Sequence, residues 1–286
     1  MKQSLLLIVA LVPFLFLNCT KEQPKVSWLV IEKWDLLPNN EATNDQGELT
    51  HNFNQVFLNM DGKAMGAFEL PCKVPIIGEG EHDFVLIPGV VKNGINDTKA
   101  RYPFVENFVT KATLKIEDTI YMQPTTKYFA NIKFLIEDFE SPGMNFENEG
   151  SAPAELYRDD DPNILKWGNF FGRVDLNDDD SLFVGYTNFQ ESLPINADVY
   201  LELDYMNSNS VLTSVLSFGN DTFFDDIHVQ INPQSKPEWK KMYIDLREII
   251  SFRSSSPINE QAFTAVLDEE GTQKFIYFDN LKVVYR

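Results

Sequence analysis

Short runs in which apolar and polar residues alternate dominate the chain and predict an all-β protein. In Tyr200–Tyr205, for example, Glu202 and Asp204 alternate with apolar side chains, the pattern of a strand with one buried face. Similar segments recur between residues 27 and 285, separated by Gly, Pro, Asn and Asp. This spacing is typical of β-sandwiches and barrels. Only one turn of helix is predicted, around residues 246–250.

The character of the sequence changes near residue 134. Residues 20–134 hold 12 Lys/Arg and 15 Asp/Glu, whereas residues 135–286 hold 11 and 28. The net charge of −19 therefore belongs almost entirely to the second half of the chain. We predict two β-sandwich domains in series, comprising residues 26–134 and 135–286.

The first 19 residues have the pattern of an export signal. Lys2 precedes an apolar run, Leu5–Leu17, which ends at Asn18-Cys19. A run of about 13 residues is too short to span a bilayer, which needs ~20, so residues 1–18 are predicted to be a signal peptide. The end of the run resembles the lipobox of bacterial lipoproteins. The resemblance implies that Cys19 carries the lipid, and an ordinary signal peptide with an incidental Cys is the alternative.

Residues 19–25 are predicted to be a lipidated tether. Its Lys21-Glu22 resembles the export signal of Bacteroidetes surface lipoproteins, which implies a lipid anchor in the outer membrane. The cell surface is favoured over the periplasmic face. The membrane is expected to be contacted through the lipid alone.

The central stretch of the first domain contains Gly66–Pro71, Pro75–His82 and Ile87–Ile95. It resembles the N-terminal domains of uncharacterised Bacteroidetes surface lipoproteins, which implies an immunoglobulin-like or transthyretin-like sandwich that acts as a spacer or docking module. Pro71 and Pro75 predict an edge strand, because proline cannot donate to a sheet ladder. Pro88-Gly89 predicts a type II turn.

Three segments of the second domain carry a different resemblance: Glu137–Glu140, Glu238–Leu246 and Phe275–Val283. Together they resemble the galactose-binding-like jelly roll of many carbohydrate-binding modules. In that fold the first and last strands lie side by side and often share a structural calcium ion. The resemblance implies Glu137, Glu140 and Asp279 as candidate ligands, and oxygen ligands are those that calcium prefers.

A sugar-binding site needs flat aromatic faces together with polar groups that orient the hydroxyls. The candidates on predicted loops and strand edges are Trp167, Phe171, Arg173, Tyr186, Asn188, Phe223 and Phe224. Most of the aromatic side chains could equally fill the sandwich core. Trp167 is the hardest to explain in that way, since it lies beside Gly168 and Asn169 in a loop-like segment.

Composition and motifs exclude several functions. A chain with a net charge of −19 repels nucleic acids, and 2 Cys with 3 His do not provide a disulfide scaffold or a Cys/His zinc site. The sequence contains no G-x-S-x-G, phosphate-binding glycine loop or H-E-x-x-H, so it is not expected to be an enzyme.

The favoured interpretation is non-catalytic binding of a neutral glycan for capture or adhesion. The alternative is a structural or protein-interaction lipoprotein with no sugar ligand, because the same folds serve many functions.

Overall fold

The computed structural model describes residues 25–219 and 222–286. Within these ranges the chain forms 21 strands and one short helix, so the all-β prediction is confirmed. The predicted signal peptide (residues 1–18), Cys19 and nearly all of the predicted tether lie outside the described residues. In the part that is described, no helix is long and apolar enough to cross a membrane.

The first domain is a mixed β-sandwich. Its strands are β1 (Ser27–Ile31), β2 (Asp35–Leu36), β3 (Gln55–Met60), β4 (Lys63–Glu69), β5 (Cys72–Ile76), β6 (Gly80–Val91), β7 (Lys99–Arg101), β8 (Phe108–Leu114), β9 (Thr119–Met122) and β10 (Thr125–Thr126). One sheet has the order β5-β1-β9, and a second has the order β4-β3-β6-β7 with β8 also paired to β6. Strands β2 and β10 form a separate parallel pair. The core between the sheets includes Leu29, Val56 and Phe84, all fully buried.

The prolines and glycines of the first domain test two predictions. Pro75 lies in β5, an edge strand, as predicted. Pro88-Gly89 does not form a turn, because both residues lie inside β6. A Cβ on Gly89 would lie 2.7 Å from the ring of Phe57 and 2.9 Å from Cβ of Gln55. The glycine therefore permits close packing of these neighbours against β6.

The second domain consists of two facing antiparallel sheets. Its elements are β11 (Lys133–Glu137), β12 (Phe146–Asn148), β13 (Tyr157–Asp159), β14 (Phe171–Leu176), β15 (Leu182–Thr187), β16 (Val199–Asn207), β17 (Val211–Gly219), β18 (Thr222–Ile231), β19 (Lys240–Asp245), α1 (Arg247–Phe252), β20 (Ile258–Val266) and β21 (Lys274–Tyr285). We call β13-β14-β21-β16-β19, with β11 also on β21, the inner sheet, and β12-β15-β20-β17-β18 the outer sheet. The chain repeatedly crosses between the two, as in a jelly roll.

The core of the second domain lies between its inner and outer sheets. Leu201, Leu203 and Ile244 of the inner sheet face this core together with Phe183 and Phe263 of the outer sheet. Side chains alternate along a strand, so Tyr200, Glu202 and Asp204 point away from the core. That opposite face of the inner sheet is covered in part by the first domain.

Aromatic rings form much of the interface between the two domains. Tyr102 of the first domain contacts Tyr200 and Tyr243 of the second at ring-centroid distances of 5.6 and 5.1 Å. Phe53 lies 5.9 Å from Tyr243, and Phe104 lies 5.8 Å from Tyr200. Tyr200 and Tyr243 are therefore part of the hydrophobic core of the first domain.

A buried ionic cluster crosses the same interface. Nζ of Lys241 lies 3.1 Å from the carboxylate of Glu202 and 3.6 Å from that of Asp204, and it donates to Oγ1 of Thr50 in the first domain at 2.8 Å. The Thr50 hydroxyl donates to Asp204 at 2.5 Å. All three charged side chains are at most 3% exposed.

Three further groups complete the ionic cluster. The hydroxyls of Tyr102 and Tyr128 both donate to Oε1 of Glu202, the second at 2.8 Å. Nζ of Lys282 donates to the carbonyl oxygens of Gln46, at 2.7 Å, and Glu48. Lys241 and Lys282 thus balance the charges of Glu202 and Asp204. The first domain supplies hydrogen-bond partners to the lysines and to the carboxylates.

The charge balance of the cluster is visible in its pKa values. Burial alone would raise the pKa of Glu202, but the charges of Lys241 and Lys282 hold it below its ordinary value. Burial would lower the pKa of Lys241, but Asp204 and Glu202 raise it. Burial and the repulsion of Lys241 lower the pKa of Lys282 to about 8. Glu202, Lys241 and Lys282 are therefore all charged at neutral pH.

Removal of one partner from this cluster is expected to destabilise the whole chain. The Lys241→Met variant leaves Glu202 and Asp204 buried without their counter-ion, and such a loss costs about 3–5 kcal/mol in free energy of unfolding. Chemical denaturation measures this change. The matched control is Lys111→Met, since Lys111 pairs with Glu81 and Asp83 but is 65% exposed, so the variant should unfold like the native chain. Equal losses in the two variants would contradict a special role for the buried cluster.

Candidate functional site

A cleft of about 540 Å³ lies between the two domains, beside the buried ionic cluster. The first domain contributes the segment before β3 and the loop after β6, and the second contributes the loop before β14 and the beginning of β19. The lining residues are Thr50, His51, Asn52, Asn54, Val91, Gly94, Asn96, Lys166, Trp167, Asp204, Tyr205, Trp239, Lys240, Lys241, Met242 and Tyr243. This volume falls in the range of about 300–1,000 Å³ that is usual for ligand sites.

Two tryptophans form the second-domain wall of the cleft. Trp167 and Trp239 meet edge to face, with ring centroids 5.6 Å apart, and both are half-buried. Nε1 of Trp239 donates to the carbonyl of Ile164 at 2.8 Å, which ties the loop carrying Trp167 to β19. Nζ of Lys166 lies 4.4 Å from the centroid of the Trp167 ring.

The carboxylate of Glu140 holds the loop that carries Trp167. Its Oε1 accepts the backbone N–H groups of Asn169, at 2.6 Å, and Phe170, at 3.0 Å, while Oε2 accepts Nδ2 of Asn169 at 2.9 Å. Burial opposes ionisation, but these donors keep the pKa of Glu140 below its ordinary value. Gly168 has φ +56, a conformation that favours glycine, so this turn fixes the position of the neighbouring indole.

The first-domain wall of the cleft is polar. It contains the amide side chains of Asn52, Asn54 and Asn96 together with the ring of His51. Burial and the positive charge of Lys241 lower the pKa of His51, so the ring is neutral at pH 7. Nδ1 of His51 accepts the backbone N–H of Phe53 at 3.5 Å, which favours a proton on Nε2. The amide groups and the imidazole ring can donate to sugar hydroxyls, and the amide oxygens except the buried Oδ1 of Asn54 can accept from them.

The predicted sugar-binding residues are not brought together in one place. Trp167 lines the cleft. Phe171 is fully buried and packs against Trp239 and Tyr277, so its prediction as a ligand contact is wrong. Arg173 is neutralised by Asp159 and Asp175 at 2.8 and 3.0 Å, which makes it part of the sheet surface.

The remaining four candidates lie in the outer sheet or directly after one of its strands, and none of them lines the cleft. Tyr186 and Asn188 both donate to the carboxylate of Glu147. Phe223 is 58% exposed, and the guanidinium of Arg253 covers Phe224 at 3.8 Å from its centroid. These residues form separate surface features and do not line the cleft.

The sequence did not single out Trp239 or His51 as site residues. Trp239 belongs to the segment Glu238–Leu246, whose sequence resembles a jelly-roll motif, and its position immediately before β19 is the signal that marks it as a loop aromatic. His51 gave no signal, because it reaches the cleft only through the docking of one domain on the other.

The predicted calcium ligands also serve different purposes in the structure. Glu137 accepts the backbone N–H groups of Phe139, at 2.6 Å, and Asn145, and Glu140 holds the Trp167 loop. Asp279 is buried and accepts the N–H of Asn280 at 2.7 Å, while its Oδ2 has no partner among the described residues. The described residues include no group of three or more His, Cys, Asp or Glu that could hold a metal ion. Calcium binding by Glu137, Glu140 and Asp279 therefore stays a prediction.

Comparison with known proteins gave similarities of fold over part of the chain. No family model and no curated protein matches it. The CBM22-1 xylan-binding domain of Xyn10C from Paenibacillus barcinonensis has a TM-score of 0.37 and 11% identity, covering 53% of this chain and 92% of that domain. A CBM29-2 carbohydrate-binding module has a TM-score of 0.33 and 14% identity, covering 54% of this chain and 91% of that module. The K1 cleaved adhesin domain of Lys-gingipain from Porphyromonas gingivalis W83 has a TM-score of 0.38 and 15% identity, covering 53% of this chain and 97% of that domain.

The fold and the cleft together define a class of protein. The chain is a two-domain all-β protein in which one domain docks on a sheet of the other. Side chains of both domains line a cleft that contains two indole rings and several amide groups.

Asp279 makes the stability of the chain depend on pH. Burial raises its pKa to about 8 from an ordinary value of 3.8, so the folded chain retains a proton that the unfolded chain releases. Stability contributed by this group is therefore present at about pH 4 and is lost as the pH rises toward about 8. The Asp279→Asn variant should have a higher melting temperature than the native chain near pH 8. Near pH 4 the two melting temperatures should be similar. Thermal melts at both pH values test this expectation.

Addition of calcium provides the control for the same variant. If the ion binds the ionised Asp279, millimolar calcium raises the melting temperature of the native chain near pH 8 and leaves that of Asp279→Asn unchanged. A native melting temperature that is the same in calcium and in chelator would remove the calcium prediction.

Proposed function

We propose that this chain is a non-catalytic glycan-binding protein that holds a saccharide in the cleft between its two domains. The observation that carries the proposal is the pairing of Trp167 and Trp239 on one wall with the amides of Asn52, Asn54 and Asn96 among the other lining groups. Aromatic faces pack against the C–H groups of a sugar ring, and amides bind its hydroxyls.

The rigidity of the cleft supports this proposal. The Trp167 loop is held by Glu140 and by Trp239, and the opposite wall is fixed by the buried interface. A preorganised site loses less conformational entropy when it binds a flexible, strongly hydrated ligand. Rigid aromatic side chains are therefore well suited to saccharides, which offer few apolar contacts of their own.

The carboxylate in the cleft supports binding without catalysis. Asp204 accepts the hydroxyl of Thr50 and pairs with Lys241, and among the described lining residues it is the one carboxylate. Glycoside hydrolysis commonly needs two carboxylates on either side of the scissile bond. The lining offers no such pair.

The proposed location is the outer membrane, with a lipid on Cys19 and the cell surface favoured over the periplasmic face. The support is the sequence of residues 1–25, which are nearly all outside the described structure. A protein held there would capture a glycan near the cell or attach the cell to it. The net charge of −19 favours a neutral glycan at long range, whereas the cleft has its own local charge.

A second candidate function is protein interaction, and it has a separate observation in its favour. Phe223, Ile227 and Phe252 are 58, 67 and 76% exposed, and Phe252 and Phe224 share contacts with Arg253. A protein partner that covered these exposed apolar side chains would remove them from water. In that case the chain would be a structural lipoprotein that reuses a carbohydrate-binding fold.

Loss of one indole is expected to abolish or strongly weaken glycan binding. In Trp167→Ala the main aromatic face of the cleft is gone, and we expect an affinity loss of about tenfold or more, equivalent to ~1.4 kcal/mol. The assay is a panel of neutral and acidic oligosaccharides, followed by calorimetric titration of those that bind. Phe223→Ala is the matched control, because it removes an exposed aromatic outside the cleft. Equal affinity of all three proteins would contradict a site at Trp167.

The anchor is tested in intact cells. Replacement of Cys19 by Ala should move the protein from the detergent phase to the aqueous phase in phase partitioning, because the thioether-linked lipid can no longer form. A Cys72→Ala variant is the control and should stay with the membrane. Native protein in the aqueous phase would exclude the lipid anchor.

A further inference from the structure

The charge of the cleft differs in sign from that of the domain that supplies most of it. Residues 135–286 contain 28 Asp/Glu and 11 Lys/Arg. Nevertheless the charged residues of the cleft lining are Lys166, Lys240 and Lys241 and the single acid Asp204. An excess of lysines in so acidic a domain calls for an explanation in terms of what binds there.

Two of these four charges are already balanced within the protein. Lys241 and Asp204 belong to the buried cluster, in which Glu202 and Lys282 supply the remaining negative and positive charge. The cluster as a whole is neutral. Its charges therefore offer a ligand little net attraction, and they leave Lys166 and Lys240 to determine the sign of the cleft.

Lys166 and Lys240 are not neutralised by acids of their own chain. Within residues 25–219 and 222–286, neither ammonium group has a carboxylate within 4.0 Å. Lys166 lies against the ring of Trp167, so its charge stands beside the surface on which a sugar ring would pack. Lys240 follows Trp239 directly in the sequence.

Screening by salt determines whether the local lysines or the distant acids dominate the electrostatic potential inside the cleft. At physiological ionic strength the Debye length is about 8 Å, so carboxylates on other surfaces of the domain contribute little inside the cleft. A charged group of the ligand that reaches Lys166 or Lys240 interacts with these lysines at contact distance. The long-range repulsion affects the rate of approach more than the bound state.

From this arrangement we infer that the cleft binds an anionic saccharide, whose negative group contacts Lys166 and Lys240 while its ring packs on the indole wall. The inference rests on the proposed function and departs from the neutral ligand that the net charge of the chain predicts. The acidic group is a carboxylate or a sulfate ester, since both accept charge-assisted hydrogen bonds from an ammonium group. The neutral His51 and the three Asn amides remain for the hydroxyls.

The test compares three oligosaccharide probes by calorimetric titration. Oligogalacturonate carries carboxylates, its fully methyl-esterified form is the matched neutral probe, and a sulfated galactan oligosaccharide carries sulfate esters. We expect one or both acidic probes to bind at least tenfold more tightly than the methyl ester. The reason is that one hydrogen bond to a charged group contributes roughly the free energy that corresponds to a tenfold change in affinity. Binding should also weaken as salt is added.

Variants at the two lysines assign the effect to the cleft. Lys166→Gln and Lys240→Gln should each weaken the acidic probe about tenfold and leave the neutral probe unchanged. Lys236→Gln is the matched control, since it removes an exposed lysine of the same domain that is not part of the cleft lining. Trp167→Ala should weaken every probe that binds.

The outcomes separate this inference from the proposed function. Preference for an acidic probe, lost in the two cleft variants, supports both. Equal binding of the methyl ester and the acidic probes, or a preference that survives in both lysine variants, overturns the anionic ligand and keeps the glycan site. If neither these probes nor the wider oligosaccharide panel binds, the proposed function fails as well.

Discussion

The pairing of Lys241 with Glu202 and Asp204 is the interaction on which the rest of the structure depends. Charges on one face of a sheet are normally solvated, and their burial is unfavourable unless each finds partners. Here the first domain supplies those partners through Thr50, Tyr102 and Tyr128. The cluster is satisfied only when the domains are docked, so it favours one relative position of the two sandwiches. That position creates the cleft and brings His51 opposite the indoles.

The strands were largely predictable because their cause is local. The alternating segment Tyr200–Tyr205 was predicted to be a strand with one buried face, and it lies within β16. The errors arose where tertiary packing overrides a local signal. Pro88-Gly89 reads as a turn, but the glycine is needed for the approach of Phe57 to β6. Short strands such as β12 and β13 contain only three residues each, too few for a pattern.

The candidate site was predictable only in part. Trp167 was recognisable as a loop aromatic beside a glycine. Phe171 has the same local appearance, but strand β14 turns its ring toward Trp239 and Tyr277. Glu140 was assigned to a metal, whereas the structure uses it to bind backbone N–H groups of the loop. The first-domain half of the cleft could not be predicted, because no pattern along one chain segment shows which face of another domain will cover it.

The composite lining of the cleft has a thermodynamic consequence. A ligand that contacts both walls binds only the docked arrangement of the domains, so its binding free energy is added to that of docking through mass action. Occupancy and interdomain order are thereby linked, and the occupied protein opens at the interface less often than the empty one. The two sandwiches then act as the halves of a clamp, which the ligand itself helps to hold closed.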